Sequence, residues 1–253
     1  MAGSTRRTIQ ILLSVLLVIA AARLVWILYQ RGQRAREPAG EAPAARTVNP
    51  DYFVYPPRAH LTDFRSVEKL AGQTLWVRDG WRYGYFPYDS GARRTREIQD
   101  PPLLPPLQPV KVSTAVSGRS SQPGVREVNL VFEMPGRSGL HSITVGHCGP
   151  RADSCRFYLD EMFFLKDPRE LYSYWKPEVW ESVEKGEVRE GMTEAQVSFA
   201  LGFGRLLTKE SRERDGRVVR FEPPGRAPVM VVFNEDGYAR SVEEVTSDKT
   251  SDK

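Results

Sequence analysis

The sequence predicts an α+β chain with a single N-terminal transmembrane helix, a mainly antiparallel β domain, and then two helices packed on a small antiparallel sheet. Three observations lead there. Residues 9–29 are almost wholly apolar, Glu127 to Met134 alternates with a period of two, and a helical period sets in after Asp167-Pro168 before strand-like runs return.

Residues 1–8 form a short N-terminal tail. The 21 residues from Ile9 to Tyr29, at about 1.5 Å each, match the roughly 30 Å hydrocarbon core of a bilayer. Ala20-Ala21-Ala22 has the small-residue pattern of a signal-peptidase site. Apolarity resumes at Leu24, however, and Trp26 and Tyr29 fall where an interfacial belt would sit, which favours an uncleaved anchor. The expected contact is a lipid bilayer through residues 9–29. Arg31, Arg34 and Arg36 outnumber Arg6 and Arg7, which by the positive-inside rule argues for a cytoplasmic domain. The features pointing to export outweigh this, so the expected location is the inner membrane, single-pass, with the folded part periplasmic or otherwise extracytoplasmic.

Residues 30–51 read as a flexible spacer, because Ala, Arg, Glu and Pro recur there without periodicity. The β domain is expected over residues 52–166. Strand signals lie at Thr74 to Arg78 and Tyr83 to Phe86, separated by the turn Asp79-Gly80. Pro101 to Pro109 reads as a stiff polyproline connector. Beyond it, Glu127 to Met134, Leu140 to His147 and Arg156 to Lys166 form an expected meander, with Val128, Leu130, Phe132 and Met134 on one face. Cys148 and Cys155 flank the second turn of that meander. Residues at the ends of a hairpin loop lie at the separation a disulfide requires, so the pair is expected to be bonded in an oxidising compartment.

The second domain is expected over residues 167–246, ahead of a disordered tail at 247–253. Asp167 caps a short helix that starts at Pro168, and Pro177 starts a second, which ends at Gly186. Thr193 and Gln196 form a capping box for a third, which ends at Gly202. Two hairpins follow, turning at Asp215-Gly216 and at Asn234 to Gly237, with Val229 to Phe233 as the most apolar strand.

That order, with Val188-Arg189-Glu190-Gly191-Met192-Thr193, Gln196-Val197, Leu201-Gly202 and Val232-Phe233-Asn234-Glu235-Asp236-Gly237, resembles the SmpA/OmlA (BamE-like) envelope family over roughly residues 177–245. The resemblance implies two helices on a small antiparallel sheet, and binding in place of catalysis. The chain departs from the family in having no lipobox cysteine, and in carrying Phe203-Gly204 where proline commonly follows the glycine.

The net charge of +4 comes from 36 Lys and Arg against 32 Asp and Glu spread along the chain, a mixed surface that argues against nucleic acid as a partner. Trp76, Arg78, Trp81, Arg82, Tyr83, Tyr85 and Tyr88 interleave aromatic and basic side chains, the composition of a partner-binding surface; the competing expectation is that alternate aromatics fill a core. His141 and His147 fall on one strand face near the cysteines, but their spacing matches no usual zinc pattern. Cys155 with His141 is loosely similar to the exported L,D-transpeptidases, whose His-Gly immediately before the cysteine is missing here. No catalytic residue, cofactor or metal is therefore expected. The expected function is protein binding or scaffolding in the envelope, with an envelope protein as partner. The alternatives are a cell-wall enzyme using Cys155 and a cytosol-facing scaffold at the inner membrane.

Overall fold

A computed structural model of the chain describes residues 22–26, 48–151, 154–214 and 216–245. Two units are distinguished, Met1–Thr47 and Val48–Lys253. The transmembrane helix expected over residues 9–29 is the part of the fold class that does not stand, since among the described residues no helix is long and apolar enough to cross a membrane. Residues 22–26 of that run are helical and exposed. The remainder of the run, the spacer through residue 47 and the tail from residue 246 lie outside the described residues.

The second unit is α+β and its sheets are antiparallel throughout. The larger sheet is built around three long strands, β4 (Pro109–Arg119), β5 (Arg126–Met134) and β6 (Arg137–Cys148). β1 (Thr74–Val77) and β8 (Phe163–Phe164) extend it beyond β4, and β2 (Phe86–Asp89) and β3 (Arg94–Thr95) extend it beyond β6. A short β7 (Cys155–Phe157) also pairs with β6. Helix α1 (Phe64–Glu68) begins at a capping box formed by Asp63 and Ser66 and buries Val67 against this sheet.

Two expected features take another form. The run from Arg156 to Lys166 is not one strand: Leu159–Met162 makes a helical turn, α2, that buries Leu159 and Met162. These are three residues apart, which is a helical spacing. Pro101 to Pro109 is not a free connector, because Trp81 and Tyr85 donate backbone hydrogen bonds to Leu104 and Pro102, and Leu104 donates to Tyr83. Leu104 is fully buried.

The smaller sheet has the order β12-β11-β10-β9, from β9 (Gly204–Leu206), β10 (Arg217–Phe221), β11 (Val229–Phe233) and β12 (Ala239–Glu244). Ahead of it come α3 (Pro168–Leu171), α4 (Pro177–Lys185) and α5 (Glu194–Leu201). Pro177 opens α4, and Gly186, at φ 66°, closes it in the left-handed conformation. Thr193 and Gln196 cap α5 reciprocally. Helix α6 (Thr208–Glu213) lies between the antiparallel strands β9 and β10, so their connection carries a helix where a tight hairpin is expected. Val183 of α4 and Val197 and Leu201 of α5 pack on Val219, Phe221, Val231 and Phe233 of the sheet.

Strand β1 joins the two cores. Leu75 and Val77 enter the core under the large sheet, while Trp76 between them turns to the opposite face and joins the core of the smaller sheet. β8 repeats the arrangement: Phe163 goes to the first core and Phe164, paired with Trp76, to the second.

Candidate functional site

The seven aromatic and basic residues of 76–88 do not form one surface. Tyr85 is 2% exposed, inside the first core, and its ring meets His141 edge-on at 5.1 Å. Trp76 belongs to the second core. Trp81 is half-buried beside Pro105 and Pro106 in a cleft of about 370 Å³. Tyr83 and Tyr88 are half-buried as well, and burial pushes the Tyr83 phenol above its ordinary pKa. Arg78 and Arg82 are exposed, yet both are occupied. Arg78 lies 5.5 Å from the Phe164 ring centre and donates to the Asp160 carbonyl at 3.1 Å. Arg82 pairs with Asp79 at 2.9 Å and covers Phe203 at 4.4 Å, which is cation–π geometry.

The large aromatic side chains that do face solvent lie elsewhere. Tyr52, Phe53, Tyr55 and Tyr174 are 53%, 63%, 81% and 45% exposed. The first three sit in and just after the 3-10 turn Pro50–Phe53, which Asn49 caps by accepting from the Asp51 N–H at 3.0 Å. Asp51 anchors that turn. Its carboxylate accepts from the Trp175 indole at 2.8 Å, from the Tyr174 hydroxyl and from the Thr193 hydroxyl. Burial and the adjacent Asp51 carboxylate push the Tyr174 phenol far above its ordinary pKa, so the ring stays a donor. Tyr52 closes the arrangement with its hydroxyl over Gly237. Asn49 and Asp51, which the sequence places in the spacer, thus belong to the folded unit, and the segment that carries Tyr52, Phe53 and Tyr55 is tied to Tyr174, Trp175 and Thr193 by charge-assisted hydrogen bonds.

Comparison with family models, with curated proteins and with solved structures gives no match. The chemistry must therefore be read from this chain's own residues.

Cys148 and Cys155 are bonded to each other, directly opposed on β6 and β7 with Cα atoms 4.0 Å apart. A nucleophilic role for Cys155 needs a free thiolate, which the bonded pair does not offer. With its seven-residue separation, the closed loop contributes about 2.5 kcal/mol by chain entropy. Reduction of the purified protein is expected to lower the unfolding free energy by about that amount, read from urea titration, and Cys148→Ser to reproduce the loss without reductant.

The two histidines lie on opposite faces. His141 opposes Phe132 and His147 opposes Glu127, five positions apart on β5 and so on opposite sides, because the register shifts between Val128 and Asn129. His141 is 8% exposed, and neither of its ring nitrogens has a hydrogen-bond partner. Burial, with Arg137 second, lowers its pKa. The neutral ring is the folded form, so the stability it contributes is present above the unfolded value near pH 6.5 and is lost as the pH falls toward the lower folded pKa. His141→Phe is expected to remove that pH dependence and to leave stability at pH 8 unchanged or higher, as read from urea midpoints across the range. A steeper acid dependence in the variant would refute this.

Proposed function

We propose that the chain is a non-enzymatic protein-binding module of an extracytoplasmic, envelope compartment. The observation that carries this is the exposed ring set Tyr52, Phe53, Tyr55 and Tyr174. Three of these rings fall within four consecutive residues of one short segment and the fourth bonds the Asp51 carboxylate of that segment, which is more exposed aromatic surface than scattered residues explain, and aromatic rings dominate the energetics of protein interfaces. Tyr55 precedes Pro56-Pro57, so it is biased to an extended backbone. The partner that suits it is a protein with an aromatic-lined groove accepting an extended, proline-flanked tyrosine.

The disulfide supports the compartment, since a structural bond of this kind persists where thiols are oxidised. The resemblance of residues 177–245 to the SmpA/OmlA family supports binding in place of catalysis. Two measurements test the reading. Alkaline phosphatase fused after Lys253 is expected to be active, because it folds only where its own disulfides form; a stable but inactive fusion would make the cytosol-facing scaffold the better account. A photo-crosslinking residue at position 55 is expected to capture one protein in intact cells. The same residue at exposed Lys209 should not capture it, and equal capture at both positions would sink the proposal.

A further inference from the structure

One end of the large sheet carries a row of residues in register across four strands. Arg119 of β4 faces Arg126 of β5, Arg126 faces Cys148 of β6, and Cys148 faces Cys155 of β7. Directly opposed residues put their side chains on the same face with Cβ atoms about 5 Å apart, and like charges in that position repel. Among the described residues neither Arg119 nor Arg126 has an ion pair or a side-chain hydrogen bond. The strand register therefore sets two exposed arginines without charge partners side by side.

A cleft of about 1230 Å³ opens over this row, and Arg65 after the start of α1 and Arg151 in the disulfide loop line it too. Neither of these is ion-paired among the described residues. Asp63 is the one carboxylate among the described residues of the cleft, and its Oδ1 is engaged by the Ser66 N–H at 2.8 Å. All four arginines are exposed, and Phe64 adds apolar surface beside them.

We infer that this cleft binds a phosphate group, carried either on a phospholipid headgroup or on a soluble phosphorylated compound. Four guanidiniums against one engaged carboxylate call for more than a single negative charge. A phosphoryl group supplies up to two charges and three acceptor oxygens, and the planar guanidinium fork matches it with paired hydrogen bonds. The cleft is far larger than a phosphate ion, so it also receives the body to which the phosphate is attached. The repulsion between Arg119 and Arg126 is relieved when the anion enters.

Calorimetric titration of the full chain with inorganic pyrophosphate at low ionic strength tests this. Saturable binding is expected, weakened at about 0.5 M salt and weakened by roughly tenfold or more in Arg119→Gln/Arg126→Gln. Arg205→Gln/Arg212→Gln, which removes two exposed arginines outside the cleft, should bind like the parent. The Arg119→Gln/Arg126→Gln protein should melt at the same or a higher temperature without ligand, which separates lost binding from lost folding. Flotation with phosphatidic acid and with phosphatidylcholine vesicles distinguishes the sources, because the former presents a phosphomonoester. An excess on phosphatidic acid that the double variant loses assigns a headgroup, and no such excess, with pyrophosphate still binding, assigns a soluble compound. No saturable heat with pyrophosphate, or heat unchanged by Arg119→Gln/Arg126→Gln, overturns the inference.

Discussion

Gly202→Ala is expected to cost the fold about 4 kcal/mol, read as a fall in the urea midpoint. Gly202 ends α5 at φ 85° and ψ −151°, a region that glycine alone adopts readily. A methyl group there would stand 2.5 Å from Trp81 Cδ1 and 2.6 Å from the Gly80 carbonyl oxygen. That carbonyl cannot retreat, because it accepts the Phe203 N–H at 2.8 Å, and Gly80 is itself pressed on Pro106. Backbone strain and overpacking therefore add. Gly225→Ala is the comparison: φ is 74° but nothing lies within 4 Å of the added carbon, so only the strain of about 1–2 kcal/mol is expected. Equal losses in the two variants would mean that the close approach of Gly202 to Gly80 does not exist in solution.

Asp51→Ala is expected to cost about 3 kcal/mol. It removes an acceptor shared by Tyr174, Trp175 and Thr193, and it leaves the buried Thr193 hydroxyl and the Trp175 indole N–H without an acceptor. Asp51→Asn keeps one acceptor oxygen and should lose roughly half as much. Tyr174→Phe removes one exposed hydrogen bond and should cost about 1 kcal/mol or less. A double-variant cycle between Asp51→Ala and Thr193→Val is expected to be strongly non-additive, since both changes break one pair. Additive losses would remove Asp51 from its place at the centre of the ring set.

Local chemistry made part of the fold legible. The capping box at Thr193 and Gln196, the proline and glycine bounding α4, and the alternation of β5 all act within a few residues, and each appears in the structure where the sequence places it. β4 was not legible although it spans 11 residues. Its register shifts between Val112 and Thr114, and the extra residue reverses the parity of the buried positions, so Val110 and Val112 are followed by Ala115. The apolar run at 9–29 misled for a different reason: hydropathy reports length and composition, and it does not say which residues form a helix.

The exposed aromatic set was legible in composition and illegible in place. Residues 76–88 carry the right side chains, but strand alternation sends Trp76 to the second core, while Tyr85 closes the first. The exposed rings depend on Asp51, whose partners lie 123, 124 and 142 residues away. No local pattern encodes such a contact. The arginine row was hidden similarly, since Arg119 and Arg126 become neighbours only through the β4–β5 register.

The docking of Tyr52 over Gly237 also sets a timetable. The first aromatic segment of the folded unit emerges from the ribosome well before the turn that receives it. At about 5–20 residues per second, the interval is on the order of ten to forty seconds. Throughout it Tyr52 lacks its final partner and the second core has no β12, although the partners of Asp51 have emerged by Thr193. The nascent chain is then most open to capture by chaperones or proteases, and the turn Asn234 to Gly237 is the last feature whose arrival allows the N-terminal clasp to close.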